Sequence, residues 1–195
     1  ILTVSTSGNS GMNYYNKKKK LSNFSLNEKN NLVNNVFSSV AENYDLMNDI
    51  MSLGMHRLWK ESLLDFMKLD KNDLVLDLAG GSGDISYLIN KKFPGNKNIY
   101  ISDPSLEMLN IAKKKLFNTK VNFFCNYAEN LPFKNNFFDC VVVSFGTRNF
   151  LELDTSIKEI YRVLKKGKKF FNLDFSKINK KSLRFFFNLY CDIIP

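Results

Sequence analysis

From Asp73 onward the chain switches between short apolar runs suited to strands and amphipathic runs suited to helices. This alternation restricts the available folds more than any other feature. The series reads LVLDLA (74–79), ISYLINKKF (85–93), NIYISD (98–103), LEMLNIAKKKL (106–116), VNFFCN (121–126), FDCVVVSFG (138–146), SIKEIYRVLKK (156–166) and KFFNLDF (169–175). It predicts repeated βαβ units, an α/β Rossmann-like arrangement of mostly parallel strands with helices on both faces. Upstream, Val36, Phe37, Val40, Ala41 and Tyr44 follow helical spacing, and RLWKESLLDFMKL (57–69) carries Leu58, Trp59, Leu63, Phe66 and Met67 at a similar period. An N-terminal helical cap is therefore expected before the first strand. Right-handed crossovers place the loops that follow the strands on one edge of the sheet, where α/β proteins bind ligands. Those loops hold Gly80 to Asp84, Asp103, Tyr127 to Glu129, Ser144 to Asn149 and Asp174 to Ser176.

A chain of 195 residues, 44% of them hydrophobic and 18 of them Phe, suffices for one packed domain. No run reaches the roughly 18–20 apolar residues that a membrane-spanning helix requires. The three cysteines form no CxxC pair, and one histidine cannot complete a metal-ligand set, so a reducing compartment and no metal are expected. Cys125 and Cys140 lie in apolar strand-like runs and read as core residues. The formal charge is +9, of which residues 1–35 contribute +4 through five lysines set against Glu28. That Asn- and Lys-rich leader, 1–35, fits a disordered arm, a nucleic-acid arm or a targeting segment, with the folded domain over 36–195.

The stretch LDLAGGSGD (76–84) follows a strand and opens a helix, the setting in which a glycine turn lets backbone approach a nucleotide. No Lys follows Gly83, so this is not a phosphate-cradling P-loop. The dinucleotide fingerprint meets Ser86 where its last glycine belongs. What remains is Asp77, the small residues Ala79, Gly81 and Gly83, and a second acid, Asp103, ending the next strand. A carboxylate there can accept hydrogen bonds from both hydroxyls of a ribose, and a turn without basic residues suits a cofactor lacking phosphates. S-adenosylmethionine is such a cofactor, and the arrangement resembles motifs I and II of class I methyltransferases, with Ala79 where the loop's first glycine is usual. The same residues also read as a structural turn with a helix-capping acid.

Five blocks in order carry a closer resemblance: YDLMNDIMSLGMHRLWK (44–60), LDLAGGSGD, AENLPF (128–133), SFGTRN (144–149) and RVLKKGKKFFNLDFS (162–176). They are similar to the ubiquinone/menaquinone biosynthesis C-methyltransferase family from about Val36 to the end of the chain. There are departures. Lys166 and Lys168 stand where that family has a Pro and a Gly, and Asp174 where it has Glu. Tyr127 replaces an Asp or Asn suited to the adenine edge, leaving the Ala128 backbone to serve. Members continue past the equivalent of Pro195 with two more strands, so the chain reads as a fragment at both ends.

The resemblance implies methyl transfer from S-adenosylmethionine to a ring carbon of a polyprenyl quinol, either a benzoquinol or a demethylmenaquinol. It implies cofactor contacts at Asp77, Ala79, Gly81, Ser82, Gly83, Asp103, Tyr127, Ala128 and Ser144. Arg148 becomes the candidate cation favouring an ionised quinol oxygen, Asn149 its hydrogen-bonding neighbour, and Tyr44, with Asp45 and Asn48, a second wall over the ligand. His56 reads either as a general base or as a satisfied helix residue, and Trp59 as core. A membrane-soluble tail implies a peripheral protein on the matrix side of the mitochondrial inner membrane or the cytoplasmic face of a bacterial-type membrane, as a homodimer or within a quinone-biosynthesis complex. Nucleic-acid methylation is disfavoured: the usual Asp/Asn-Pro-Pro-Tyr/Phe turn is absent and the excess charge is concentrated in the leader. An inactive scaffold subunit is the reading of another class.

Overall fold

The computed structural model describes residues 55–95 and 98–174. Helix α1 (Met55–Met67) precedes strand β1 (Val75–Leu78), α2 (Asp84–Lys92), β2 (Ile99–Asp103), α3 (Leu106–Lys115) and β3 (Val121–Cys125). The chain then forms β4 (Phe138–Ser144), a single 3-10 turn (Thr147–Asn149), α4 (Leu153–Val163) and β5 (Leu164–Leu173). The strands form one sheet in the order β3-β2-β1-β4-β5, and every pairing is parallel. The Rossmann-like α/β arrangement expected from the alternation is therefore present.

Alternate side chains divide between the two faces, as a parallel sheet buried on both sides requires. Val75, Cys140 and Val142 pack with Leu63, Leu64 and Met67 of α1 and Ile85 and Ile89 of α2. Leu76, Leu78, Val141 and Val143 pack the other way, against Ile160 and Val163 of α4. Helix α3 covers the β2 side through Leu109, Ala112 and Leu116 against Ile101. The order runs outward from β1 to β3, then returns past β1 to β4 and β5. This reversal opens a crevice beyond the carboxyl ends of β1 and β4, the place where open α/β sheets bind ligands.

Several expectations need correction. Helix α1 buries His56, Lys60, Leu63, Leu64 and Met67, while Leu58, Trp59 and Phe66 are exposed. Trp59 is thus not core, although its ring lies 6.4 Å from that of Phe145. Burial of Leu63, Leu64 and Met67 sets the inward face, and Lys60 is tolerated on it because its ammonium pairs with Asp84 at 2.6 Å. Of the two expected in the core, Cys140 is buried and Cys125 is exposed. Among the described residues β3 pairs only with β2, so its other edge carries no strand neighbour there. The run SIKEIYRVLKK leaves the helix at Val163, with Leu164 already in β5. A register shift lets Leu164 face Phe138 and Lys169 face Cys140. Gly167 turns through φ 77° in the intervening bulge. There Lys165 and Lys168 reach Asp139 at 2.7 and 3.1 Å, which gives the lysine that replaces a family glycine an acidic partner.

Candidate functional site

The turn after β1 is held from below. Asp77, fully enclosed, accepts hydrogen bonds from the Ser86 amide (3.1 Å) and hydroxyl (2.7 Å) through one carboxylate oxygen, tying the first turn of α2 to the strand. Burial pushes its pKa up to about 7, and the Ser86 bonds only partly offset that. Gly81 and Gly83 adopt φ of 53° and 79°, in the left-handed region that glycine enters without penalty. A Cβ on Gly83 would stand 3.0 Å from that of Ala112, so the missing side chain also lets α2 begin against α3. Ala79 takes φ 53° as well, at the position where a glycine is usual. It thus adopts the glycine conformation with a methyl group attached. Its Cβ has room because residue 146 is glycine: a Cβ there would sit 2.7 Å away.

Asp103 ends β2 with both carboxylate oxygens engaged by backbone. The Gly81 amide donates to one and the Ser105 amide to the other, each at 2.9 Å. Burial raises its pKa to about 6 against these two bonds. Each oxygen keeps lone-pair capacity, so the group is oriented and still able to accept from a diol. Ser105 in turn caps α3, its hydroxyl accepting from the Met108 amide at 3.2 Å.

The facing wall follows β4. Phe145 has φ 57°, rare for a bulky residue, and its amide donates to the Leu173 carbonyl at 2.6 Å. The chain therefore turns sharply after Ser144 into the single 3-10 turn. Thr147 hydrogen-bonds to Asp174 across the top of β5, whereas Arg148 and Asn149 are exposed. The third wall is the loop after β3, latched by two acids. Glu129 accepts from the Leu151 amide (2.8 Å), the Glu152 amide (3.1 Å) and the Ser156 hydroxyl (3.0 Å). Glu159 accepts from the Leu131 amide and pairs with Arg162, whose guanidinium also donates to the carbonyls of Leu131 and Phe133.

These walls enclose one cleft. Of the residues expected at the cofactor, Ala79, Gly81, Asp103, Tyr127, Ala128 and Ser144 line it, and Asn149, expected at the quinol, lines it too. Asp77, Ser82 and Gly83 lie beneath the loop instead, Ser82 buried with Lys115 Nζ 3.4 Å from its hydroxyl. Arg148 is exposed on the turn beside Asn149 and is not among the lining residues. His56 is buried on α1, away from the cleft lining. Tyr44, Asp45 and Asn48 lie outside the described residues. Sequence reasoning missed Ser102, Met108, Asn126, Phe150 and Leu151, all on the wall. Four of them stand one or two places from a residue already singled out at a strand end or turn, whereas Met108 reaches the wall from the first turn of α3 and carries no such signal.

The lining fits an adenosyl group without phosphates. Ser102 Oγ, Asn126 Oδ1 and Ser144 Oγ are buried around the cleft without a hydrogen-bonding partner, an expensive condition unless a ligand supplies donors or acceptors. Among the described residues no lysine or arginine lines it.

Solved structures share the architecture. A putative methyltransferase from Bacillus halodurans superposes with a TM-score of 0.58 at 26% identity, over 67% of this chain and 56% of that one. A putative S-adenosyl-L-methionine-dependent methyltransferase from Methanococcus maripaludis gives a TM-score of 0.58 at 21% identity, over 76% and 68% of the two chains, a likeness of fold alone. Fold and cleft together define a class I S-adenosylmethionine-dependent methyltransferase. The ubiquinone/menaquinone biosynthesis C-methyltransferase of Rickettsia bellii is 45% identical over 179 residues, 87% of this chain and 71% of the relative. Its counterpart in Haemophilus ducreyi is 43% identical, over 86% and 67%. The model of the ubiE/COQ5 methyltransferase family matches residues 24–195, and the chain belongs to that family.

Proposed function

We propose that the protein methylates a ring carbon of a polyprenyl benzoquinol, with residues 36–195 as the transferase domain and 1–35 as a leader. The observation that carries this reading is the cleft itself. An amide-pinned carboxylate, Asp103, and a glycine loop without cations meet at the switch point of a sheet whose family transfers methyl groups.

S-adenosylmethionine, when bound, supplies an electrophilic methyl group. The chain's residues have three tasks. Asp103 accepts the ribose hydroxyls, and Ser144 and the Ala128 backbone border the rest of the nucleoside. The glycine loop, fixed from below by Asp77, brings backbone close. The third task is to make carbon nucleophilic. A phenol ionises near pKa ~10, and a fixed positive charge beside it lowers that value. Arg148 supplies this charge from the turn after β4, and Asn149 donates to the quinol oxygen. Tyr44 contributes from the N-terminal segment. Holding the ring carbon about 3–3.5 Å from the methyl group is then a matter of positioning.

Among the described residues no helix is long and apolar enough to cross a membrane. A polyprenyl tail is membrane-soluble, so the proposal includes peripheral contact, which flotation with anionic liposomes checks. The relatives named above are bacterial and lend nothing to a mitochondrial location. The deciding experiment incubates the protein with isotopically labelled S-adenosylmethionine and, separately, a polyprenyl benzoquinol and a demethylmenaquinol, with products read by mass spectrometry. Label in the benzoquinol product supports the proposal. Label only in the menaquinol moves the substrate, and cofactor binding without label in either leaves the scaffold reading.

A further inference from the structure

The structure assigns the amino edge of the cofactor's adenine to Asn126, one residue before the position the family uses, an inference that rests on the functional reading above. Residue 127 is tyrosine here, which lacks a carboxamide or carboxylate for that edge. Asn126, immediately after β3, lines the same cleft. Its Nδ2 donates to the Tyr127 carbonyl at 3.1 Å. A carbonyl only accepts, so this bond fixes which end of the carboxamide is nitrogen. Oδ1 is left as a buried acceptor without a partner. An adenine presents two donor hydrogens on its exocyclic amine, the complement of a lone carbonyl oxygen. The neighbouring unpartnered groups in the cleft are hydroxyls, Ser102 and Ser144, which both donate and accept and so carry little discrimination. Asn126 is thus the residue that distinguishes an amino purine from an oxo purine.

The test is isothermal titration of the full chain with S-adenosylhomocysteine and with S-inosylhomocysteine, in which oxygen replaces the amine. The unaltered protein should prefer the adenosyl compound by roughly tenfold or more, since the oxo analogue sets one acceptor against another. Asn126→Leu should bind the two within about twofold, losing affinity for the adenosyl compound alone. Retention of the full preference in the Leu variant overturns the assignment while the functional reading stands. Failure of the unaltered chain to bind S-adenosylhomocysteine overturns both. A second measurement needs no variant. The side-chain amide signal of Asn126 in nitrogen–proton correlation spectra should move on addition of S-adenosylhomocysteine and stay in place with the analogue lacking any substituent at that ring carbon. Equal movement with both compounds refutes the contact.

Discussion

Gly146→Ala tests the steric bargain between the two loops that form the cleft. Residue 146 has φ −106° and ψ −27°, which alanine adopts freely, so any cost must come from packing. The added Cβ would lie 2.7 Å from the Ala79 Cβ and 3.1 Å from Val143 Cγ1, against an optimum of about 3.5–4.0 Å for carbon pairs. Overpacking of this kind costs about 1–3 kcal/mol, and the stiffer unfolded chain returns about 0.4–1 kcal/mol. The net loss of about 1–2 kcal/mol corresponds to a Tm lower by roughly 2–8 °C for a chain of this size. Ala79→Gly removes the methyl that is struck and releases a left-handed alanine, worth about 1–2 kcal/mol, against about 0.5–1 kcal/mol for the looser glycine. Alone it should be neutral to stabilising, by up to about 1 kcal/mol. Combined with Gly146→Ala, it should recover most of the loss. Thermal unfolding of the parent, both single variants and the double variant closes the cycle. A coupling smaller than about 0.5 kcal/mol would mean that the two positions act independently, and the contact argument would fail.

Other consequences follow from the same geometry. Ribose hydroxyls donating to Asp103 favour its ionised form, so S-adenosylhomocysteine affinity should weaken as pH falls through about 6, with proton release on binding near that pH; a Kd flat between pH 5 and 8 would contradict the ribose role. Asp77 binds a proton in the folded protein up to about pH 7 but in the unfolded chain only to about 4. Its contribution to stability therefore decreases as pH rises across that window, and Asp77→Asn should flatten the slope in urea titrations run from pH 5 to 8. Glu129→Ala orphans the Leu151 and Glu152 amides just before α4, while the Ser156 hydroxyl keeps the Glu152 carbonyl, and should cost about 1–3 kcal/mol, with Glu129→Gln milder because its amide oxygen still accepts; equal Tm values for the two variants would refute the latch. Arg148→Gln should abolish turnover with cofactor affinity held within about twofold, if charge near the quinol is its contribution, and near-parental turnover would remove Arg148 from the mechanism.

Much of the fold was legible because period and length are local properties. Each strand predicted from an apolar run is present, and the helices over 84–92 and 106–115 match their patterns to within a residue. What misled was anything decided by neighbours. LKK in RVLKK continues a helical pattern in isolation, yet pairing with Phe138 draws Leu164 into a strand. Trp59 has the hydrophobicity of a core residue, but the face of α1 that turns inward carries Leu63, Leu64 and Met67, with Lys60 admitted beside them by its pairing with Asp84. At the site, Asp103 was readable because an acid ending the second strand has few other uses. Asn126 was not, since one more asparagine in an Asn-rich chain becomes informative only when its oxygen is found buried and unmatched.

The two halves of the cleft differ in how they are held, and the difference follows from the sheet. On the side of β2 and β3 the framework is fixed before any ligand arrives: Asp103 is held by two backbone amides, and the loop after β3 is held by the Glu129 and Arg162 side chains bonded to main chain. Binding there demands little reorganisation, because the ordering is completed during folding. The opposite side hangs from Phe145, whose left-handed backbone is unfavourable by about 1–3 kcal/mol and persists only where the surroundings over-determine it. They do so here: the ring is buried in the α1–α2 core and the amide is bonded to β5. That single strained residue converts a straight apolar strand into a corner, leaving Ser144 and Asn149 on the cleft wall and Arg148 exposed on the turn between them. An arginine at the end of so apolar a strand is thus accommodated because the strand has already ended four residues before it.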